Sequence, residues 1–189
     1  YRDGRRASAR LDRWLGATDA PDASVLDRAV GPVLDVGCGP GRHLVDCRRR
    51  GLPALGVDIS ADAVAAVRRQ GAEAVRTSIF GPVPEPGTWG TALLLDGNIG
   101  IGGLPVPLLA RVGNLLRPGG RALVELDPPG GPSGPAMVRL EADGARSGWF
   151  AWAHVAADDI RSVGAGAGLR VDTTWDLQGR WFACLTARR

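Results

Sequence analysis

Short apolar runs alternate along this chain with amphipathic stretches, and glycine stops most of them. Val33-Leu34-Asp35-Val36 reads as a buried strand ended at Gly37. Arg42 to Arg50 follows as a helix ended by Gly51, and Ala54-Leu55-Gly56-Val57-Asp58 as a second strand. Ser60 predicts the cap of a helix from Ala61 to Gln70, with Val64 and Val67 on one face and Gly71 at its end. Ala74-Val75-Arg76 is a weaker third strand, and Thr91 to Leu95 is a continuous apolar run of the kind buried in parallel sheets. Leu108, Leu109, Val112, Leu115 and Leu116 form a helical stripe closed by Arg117-Pro118-Gly119-Gly120, before a fifth strand from Ala122 to Leu126. This alternation predicts right-handed βαβ units around a mainly parallel sheet.

The two ends of the chain read differently. Before residue 31, Ala7, Leu11, Trp14 and Leu15 share one helical face, with Arg10 and Arg13 on the other, and Pro21 and Asp22 open a second short helix through Leu26 and Val30. After Asp127 the pattern turns helix-poor. Met137 to Leu140 and Trp149 to Val155 flank Asp143-Gly144 as a hairpin. A helix from Ala156 to Val163 precedes Leu169 to Trp175, which pairs with Trp181 to Thr186 across Gln178-Gly179-Arg180. The expectation is one domain over 1–189: a helical lead-in (1–30), a ligand-binding half (31–127), a segment inserted above the sheet's carboxyl edge (128–155), and a terminal helix and hairpin (156–189). Open α/β sheets bind ligands at that edge.

Composition narrows the field. With 189 residues, 44% apolar and 23% charged, the chain can bury one core. The 28 glycines and 14 prolines are dispersed, which argues for many turns and against disorder. No apolar run approaches the roughly eighteen residues of a membrane-spanning helix, and Tyr1 to Arg6 has no hydrophobic stretch behind it to serve as a secretion signal. All basic residues are arginine, and the net charge of +3 is permissive for nucleic acid without arguing for it. Arg48-Arg49-Arg50 closes a helix and complements its dipole. Cys38, Cys47 and Cys184 are odd in number and lack CxxC spacing; they fit a reducing cytoplasm, and neither a disulfide framework nor a zinc site. His43 and His154 lie far apart, so no metal site is expected.

The candidate chemistry starts at Gly37-Cys38-Gly39-Pro40-Gly41, where a strand enters a glycine loop and then a helix. Glycines there permit unusual backbone angles and let a ligand lie on the main chain, and helix-start amides suit an anionic group. Arg42 stands where a dinucleotide fingerprint would carry its third glycine, which disfavours a nicotinamide oxidoreductase. Asp58 ends the second strand 21 residues after Gly37, where a carboxylate can accept hydrogen bonds from two ribose hydroxyls. The pair points to a nucleoside-containing ligand; the plain alternative for Asp58 is a helix cap shared with Ser60.

Val33-Leu34-Asp35-Val36-Gly37-Cys38-Gly39-Pro40-Gly41, with Gly56-Val57-Asp58-Ile59-Ser60 and Leu115-Leu116-Arg117-Pro118-Gly119-Gly120, resembles a class I S-adenosylmethionine-dependent methyltransferase over residues 31–127. The resemblance implies a Rossmann-like, mainly parallel seven-stranded sheet with a C-terminal antiparallel hairpin and helices on both faces. It implies S-adenosyl-L-methionine as cofactor. Gly37, Gly39 and Gly41 would face its methionine part, Asp35 its amino group, Asp58 its ribose and Ile59 the adenine face. Thr77-Ser78-Ile79-Phe80 occupies the loop that holds the adenine edge, giving Ser78 and Ile79 as candidates, although the acid common there in the family is absent. Cys38 is a small filler within the loop.

Asp96 and Asn98 follow the fourth strand beside the point where strand order reverses, so they are candidates for the cofactor's methionine end, for the acceptor, or for catalysis; as turn residues among glycines they also need no function. Asp96-Gly97-Asn98-Ile99 is not the Asn/Asp-Pro-Pro-aromatic run of amino-nucleobase methylases, and Asp127-Pro128-Pro129-Gly130 follows the wrong strand. His43 reads as a packing residue and His154 as a base on the inserted segment. Trp149 and Trp152 are candidates to line an acceptor pocket, while Trp175, Trp181 and Phe182 read as hairpin core. The expected reaction is methyl transfer to a small-molecule acceptor. Protein or RNA methylation, or a non-catalytic cofactor-binding module, are the alternatives.

Overall fold

The computed structural model describes residues 1–2, 4, 11–142 and 144–187. Ala7 and Arg10 of the expected lead-in helix, and the turn residue Asp143, lie outside the described residues. Two short helices open the chain, α1 (Leu11–Leu15) and α2 (Ala20–Leu26). Asp19 caps α2 by accepting from the Asp22 amide, and the Asp22 carboxylate accepts in return from the Asp19 amide.

The central sheet contains β1 (Val33–Val36), β2 (Ala54–Asp58), β3 (Glu73–Arg76), β4 (Trp89–Leu94), β5 (Leu116–Leu126), β10 (Leu169–Leu177) and β11 (Arg180–Ala187), in the order β10-β11-β5-β4-β1-β2-β3. β1 to β5 pair in parallel, and β11 runs antiparallel to both its neighbours. Strand order reverses between β1 and β4, each of which sends the next stretch of chain to opposite halves of the sheet. Along the strands, successive residues serve opposite faces. Val33, Leu93, Leu123 and Phe182 pack with Val25 and Leu26 of α2 and with Cys47 of α3 (Arg42–Arg49). Leu34, Ala92, Leu94, Val124 and Leu185 pack with Leu108, Leu109 and Val112 of α5 (Pro105–Gly113) and Ile160 of α6 (Ile160–Gly166). Because side chains alternate with period two, a one-residue slip of any strand would move its apolar set to the wrong layer, and this fixes the register. α4 (Ala61–Arg69) covers the β2–β3 end, with Val64 and Val67 against Leu44 and Ala74.

Several boundaries differ from the expectation, among them the end of α2, at Leu26 and not at Val30. The stripe through Leu115 and Leu116 does not stay helical: α5 stops at Gly113, because the Leu115 carbonyl accepts from the Gly87 and Trp89 amides that lead into β4. Arg117-Pro118-Gly119-Gly120 therefore lies inside β5 rather than before it. The helix expected at Ala156 begins only at Ile160, since the Asp127 amide donates to Val155 and the Asp127 carbonyl accepts from Ala157.

Between β5 and α6 the chain forms β6 (Gly134–Val138) and β9 (Phe150–His154), an antiparallel pair, with the small pair β7 (Glu141–Ala142) and β8 (Ala145–Arg146) at its tip. This arm lies over a kinked 3₁₀ turn, Asn98–Gly103, that follows β4. The glycines of that turn have a packing reason: a Cβ at Gly100 would come within 2.6 Å of Trp152 Nε1 and one at Gly103 within 3.1 Å of the Ala151 Cβ. Of the described helices, none is long and apolar enough to cross a membrane. The Arg48-Arg49-Arg50 run is largely spent locally, since Arg48 donates to the Gly71 carbonyl and Arg50 pairs with Asp46 and Asp27.

Candidate functional site

At the carboxyl edge the glycine loop is held from two sides. The Gly37 and Cys38 amides donate to the Val57 carbonyl, and the Gly39 amide donates to Asp58 Oδ2 at 2.9 Å. Asp58 Oδ1 accepts from the Ser60 amide at 2.8 Å, so the same carboxylate pins the loop and starts α4, with lone pairs left for a ligand. Gly37, Gly39 and Gly41 all have left-handed φ. Gly37 faces Asn98 and Ile101, Gly41 faces Val67, and Gly39 has open space where a Cβ would point. The capping reading of Asp58 is met through the Ser60 amide, and its other oxygen holds the glycine loop. Beside it, Ile59 is 72% exposed, a large apolar side chain left uncovered next to a carboxylate and an open loop.

Other expected residues are reassigned. Asp35 is 1% exposed and lies 3.7 Å from His43 Nδ1, so it works beneath the loop and does not reach its open surface. Cys38 is buried against Gly56; burial, together with the charges of Asp35 and Asp58, pushes its thiol well above the ordinary range and keeps it neutral. In the third-strand loop Ile79 turns into the core and is 4% exposed, whereas Phe80 turns out and is 47% exposed. Phe80 is thus the apolar side chain this loop leaves uncovered, its ring within 2.9 Å of a Cβ position at Gly102. Ser78 is exposed and accepts from the Phe80 amide, fixing that turn.

Asn98 donates both amide hydrogens, to the Val36 carbonyl at 2.8 Å and the Gly37 carbonyl at 2.9 Å. It clamps the end of β1 to the turn after β4, a positioning task. Asp96, at φ 56°, accepts a two-pronged contact from Arg42 at 2.7 and 3.0 Å, with Arg13 Nε 3.6 Å away. Both of its oxygens are thereby held in charge-assisted hydrogen bonds.

Arg42 belongs to a buried network that the sequence did not reveal. Its other edge donates to Asp22, which is fully buried and also accepts from Arg180 at 2.8 Å. Arg180, on β11, donates twice to Glu125 of β5, and Glu125 accepts from the Asp96 amide at 2.7 Å. Burial alone would raise the Asp22 pKa, but hydrogen bonds from His43 and Arg42 and the charges of His43 and Arg180 hold it far below the usual carboxylate range. The only sequence signals were an acid inside the apolar run Ala122-Leu123-Val124-Glu125-Leu126 and an arginine in a turn. Arg13, expected on the solvent side of its helix, instead faces Asp96.

Above these groups opens a cleft of about 800 Å³. Asp96, Gly97 and Asn98 form its floor, Trp149, Phe150, Trp152 and His154 of the arm one wall, and Arg13 and Trp14 the other. Phe150 meets Trp152 edge-on at 6.1 Å, and Trp149 is covered by the Arg139 guanidinium at 4.7 Å. Trp175 stacks on Phe182 and donates to Ser24 on the opposite face, away from the cleft. Another hollow, about 510 Å³, is lined by Ala61, Val64, Arg68 and Arg76 beside α4. Among the described residues, no three metal-ligating side chains come together.

Residues 33–120 match the family model described as a methyltransferase domain. No curated protein matches the chain. Among solved structures, a methyltransferase from Bacteroides fragilis in complex with S-adenosyl-L-homocysteine superposes with a TM-score of 0.79 at 21% identity, covering 95% of this chain and 82% of that one. The 1,6-didemethyltoxoflavin-N1-methyltransferase of Burkholderia thailandensis gives 0.69 at 19% identity, over 100% of this chain and 84% of that one. The sugar N-methyltransferase KedS8 of a Streptoalloteichus species gives 0.67 at 16% identity, over 95% and 90%. The glycine loop and the acid that clasps it lie within the stretch that matches a methyltransferase domain, and the sheet with its reversed last strand has the fold of these solved methyltransferases.

Proposed function

We propose that the chain transfers the methyl group of S-adenosylmethionine to a small-molecule acceptor held in the cleft beneath the β6–β9 arm. The observation that carries this reading is the arrangement at Asp58: a carboxylate at a strand end, bonded to the Gly39 amide of a loop open above Gly39, with exposed Ile59 beside it. That surface fits a nucleoside. Asp58 would accept from the ribose hydroxyls, Ile59 and Phe80 would cover the adenine, and the main chain of Gly37 to Gly39 would run along the methionine part. Arg13, whose Nε has no hydrogen-bond partner among the described residues, would take the carboxylate. Asp96, held in place by Arg42, would accept from the ammonium group.

When bound, the cofactor supplies an electrophilic methyl group on a sulfonium that is its own leaving group. The protein's task is then alignment, and holding two reactants in line is worth about 7–11 kcal/mol of barrier. Asn98 serves this by fixing the loop to the cleft floor, and Trp152 by packing on the glycine turn that forms that floor. The 800 Å³ of open, aromatic-walled space favours an enzyme over a module that only binds the cofactor. The compounds named for the Burkholderia and Streptoalloteichus neighbours, 1,6-didemethyltoxoflavin and a sugar, support a small molecule over a protein or RNA.

Calorimetric titration with S-adenosylhomocysteine and, separately, NAD tests the cofactor. Micromolar affinity for the first alone is expected, and Asp58→Ala should weaken it about 10- to 100-fold, the worth of a lost charge-assisted hydrogen bond. Equal affinity in the variant removes Asp58 from the site, and binding of NAD in place of S-adenosylhomocysteine overturns the assignment.

A further inference from the structure

The arm-side wall of the cleft ends in an oriented imidazole. His154 closes β9, and its Nδ1 lies 2.8 Å from Asp127 Oδ2, just past the end of β5. The carboxylate takes the N–H of that ring nitrogen and leaves Nε2 as an acceptor pointing the other way. Nε2 is 2.9 Å from the hydroxyl of Tyr1, whose ring sits 5.6 Å from the imidazole at a 34° tilt. Tyr1, Trp149, Phe150 and Trp152 line the same cleft. The protein thus already seats one aromatic hydroxyl against His154, among aromatic walls.

We propose that the acceptor is a phenol, a flat aromatic compound whose hydroxyl donates to His154 Nε2 in the place where Tyr1 presents its own. This rests on the methyl-transfer reading. As the acceptor oxygen bonds to the methyl carbon, the carbon–sulfur bond breaks with its electron pair left on sulfur. The hydroxyl proton passes to His154 Nε2, giving an imidazolium that faces the Asp127 carboxylate and later releases its proton to water. A neutral phenol is a weak nucleophile, and imidazole is basic enough to help it; an aliphatic hydroxyl is too weak an acid for the same base. The acids on the cleft floor do not compete, since Asp96 is engaged by Arg42 and Glu125 by Arg180. Asp127 is a positioning residue in this scheme.

The test is methylation of phenol, 2-naphthol and 4-nitrophenol by the purified protein with S-adenosylmethionine, read as methyl ether, alongside S-adenosylhomocysteine affinity. Wild type should methylate members of this set. His154→Gln should keep its affinity within about twofold and lose about 100-fold in rate on phenol and 2-naphthol, the usual worth of a general base. It should lose less than about tenfold on 4-nitrophenol, which ionises without help. Asp127→Asn should show the same order with smaller losses, whereas a purely structural role would lower all three acceptors alike. An equal loss across the series overturns the proposal. So does a protein that binds S-adenosylhomocysteine tightly and methylates none of the phenols. A protein that fails to bind S-adenosylhomocysteine fails instead at the methyl-transfer reading.

Discussion

His43 is 4% exposed and lies between two carboxylates, 3.5 Å from Asp22 and 3.7 Å from Asp35. Burial alone would lower its pKa, yet hydrogen bonds to Asp22 and Asp35 and the charge of Asp35 outweigh it and raise the value to about 9. The unfolded chain has an ordinary histidine near 6.5, so the folded state binds a proton that the unfolded state releases. That contribution to stability is full below about pH 6.5 and is lost as pH rises through about 9. Urea midpoints measured from pH 6 to 10 should fall across this interval, and His43→Gln should flatten the fall. Asp22 acts with the opposite sign: its depressed pKa stabilises above the ordinary carboxylate value and is lost only in strong acid. None of this was legible in the sequence, where His43 is a single residue in a helix start. Its role depends on Asp22, which arrives from another element.

At the scale of elements, the glycine loop was legible from Gly37-Cys38-Gly39-Pro40-Gly41 because three left-handed positions within five residues favour glycine at each. Each glycine nevertheless has a different reason. Gly41, at φ 91°, has Val67 Cγ2 2.6 Å from its would-be Cβ, whereas Gly39, at φ 51°, faces open space. Gly41→Ala should therefore lower stability by about 1–2 kcal/mol from the backbone alone, and more from the clash, seen as a lower melting temperature. Gly39→Ala should cost less in stability and more in S-adenosylhomocysteine affinity, since its methyl enters the ligand's space. The strands and α3 and α4 were legible through period and caps. The end of α5 was not, because backbone carbonyls taken by a neighbouring strand leave no mark on the side-chain pattern. That Ile79 turns inward and Phe80 outward was hidden for a similar reason: adjacent apolar residues in a loop do not say which one faces the core.

Across the whole molecule, α2, α3, the turn after β4, β5 and β11 are joined through Asp22, Arg42, Asp96, Glu125 and Arg180. Arg42→Met leaves Asp22 and Asp96 each short of a partner, and breaking a buried pair this way costs about 3–5 kcal/mol. At about 2–4 °C per kcal/mol the melting temperature should drop by roughly 10 °C; a drop below a few degrees would mean that water replaces the guanidinium. The parallel sheet was legible from strand–helix alternation, but this network was not, since its members are spread over more than 150 positions of sequence. The reversed strand β11 adds an order of events in time. It lies between β10 and β5, and its first residue, Arg180, is the partner that Glu125 and Asp22 wait for. A nascent chain leaving the ribosome can make β1 to β5 early, but Asp22 and Glu125 each lack the Arg180 guanidinium until that arginine emerges. The buried ion network beside the glycine loop is thus completed by a piece of chain synthesised long after the loop itself.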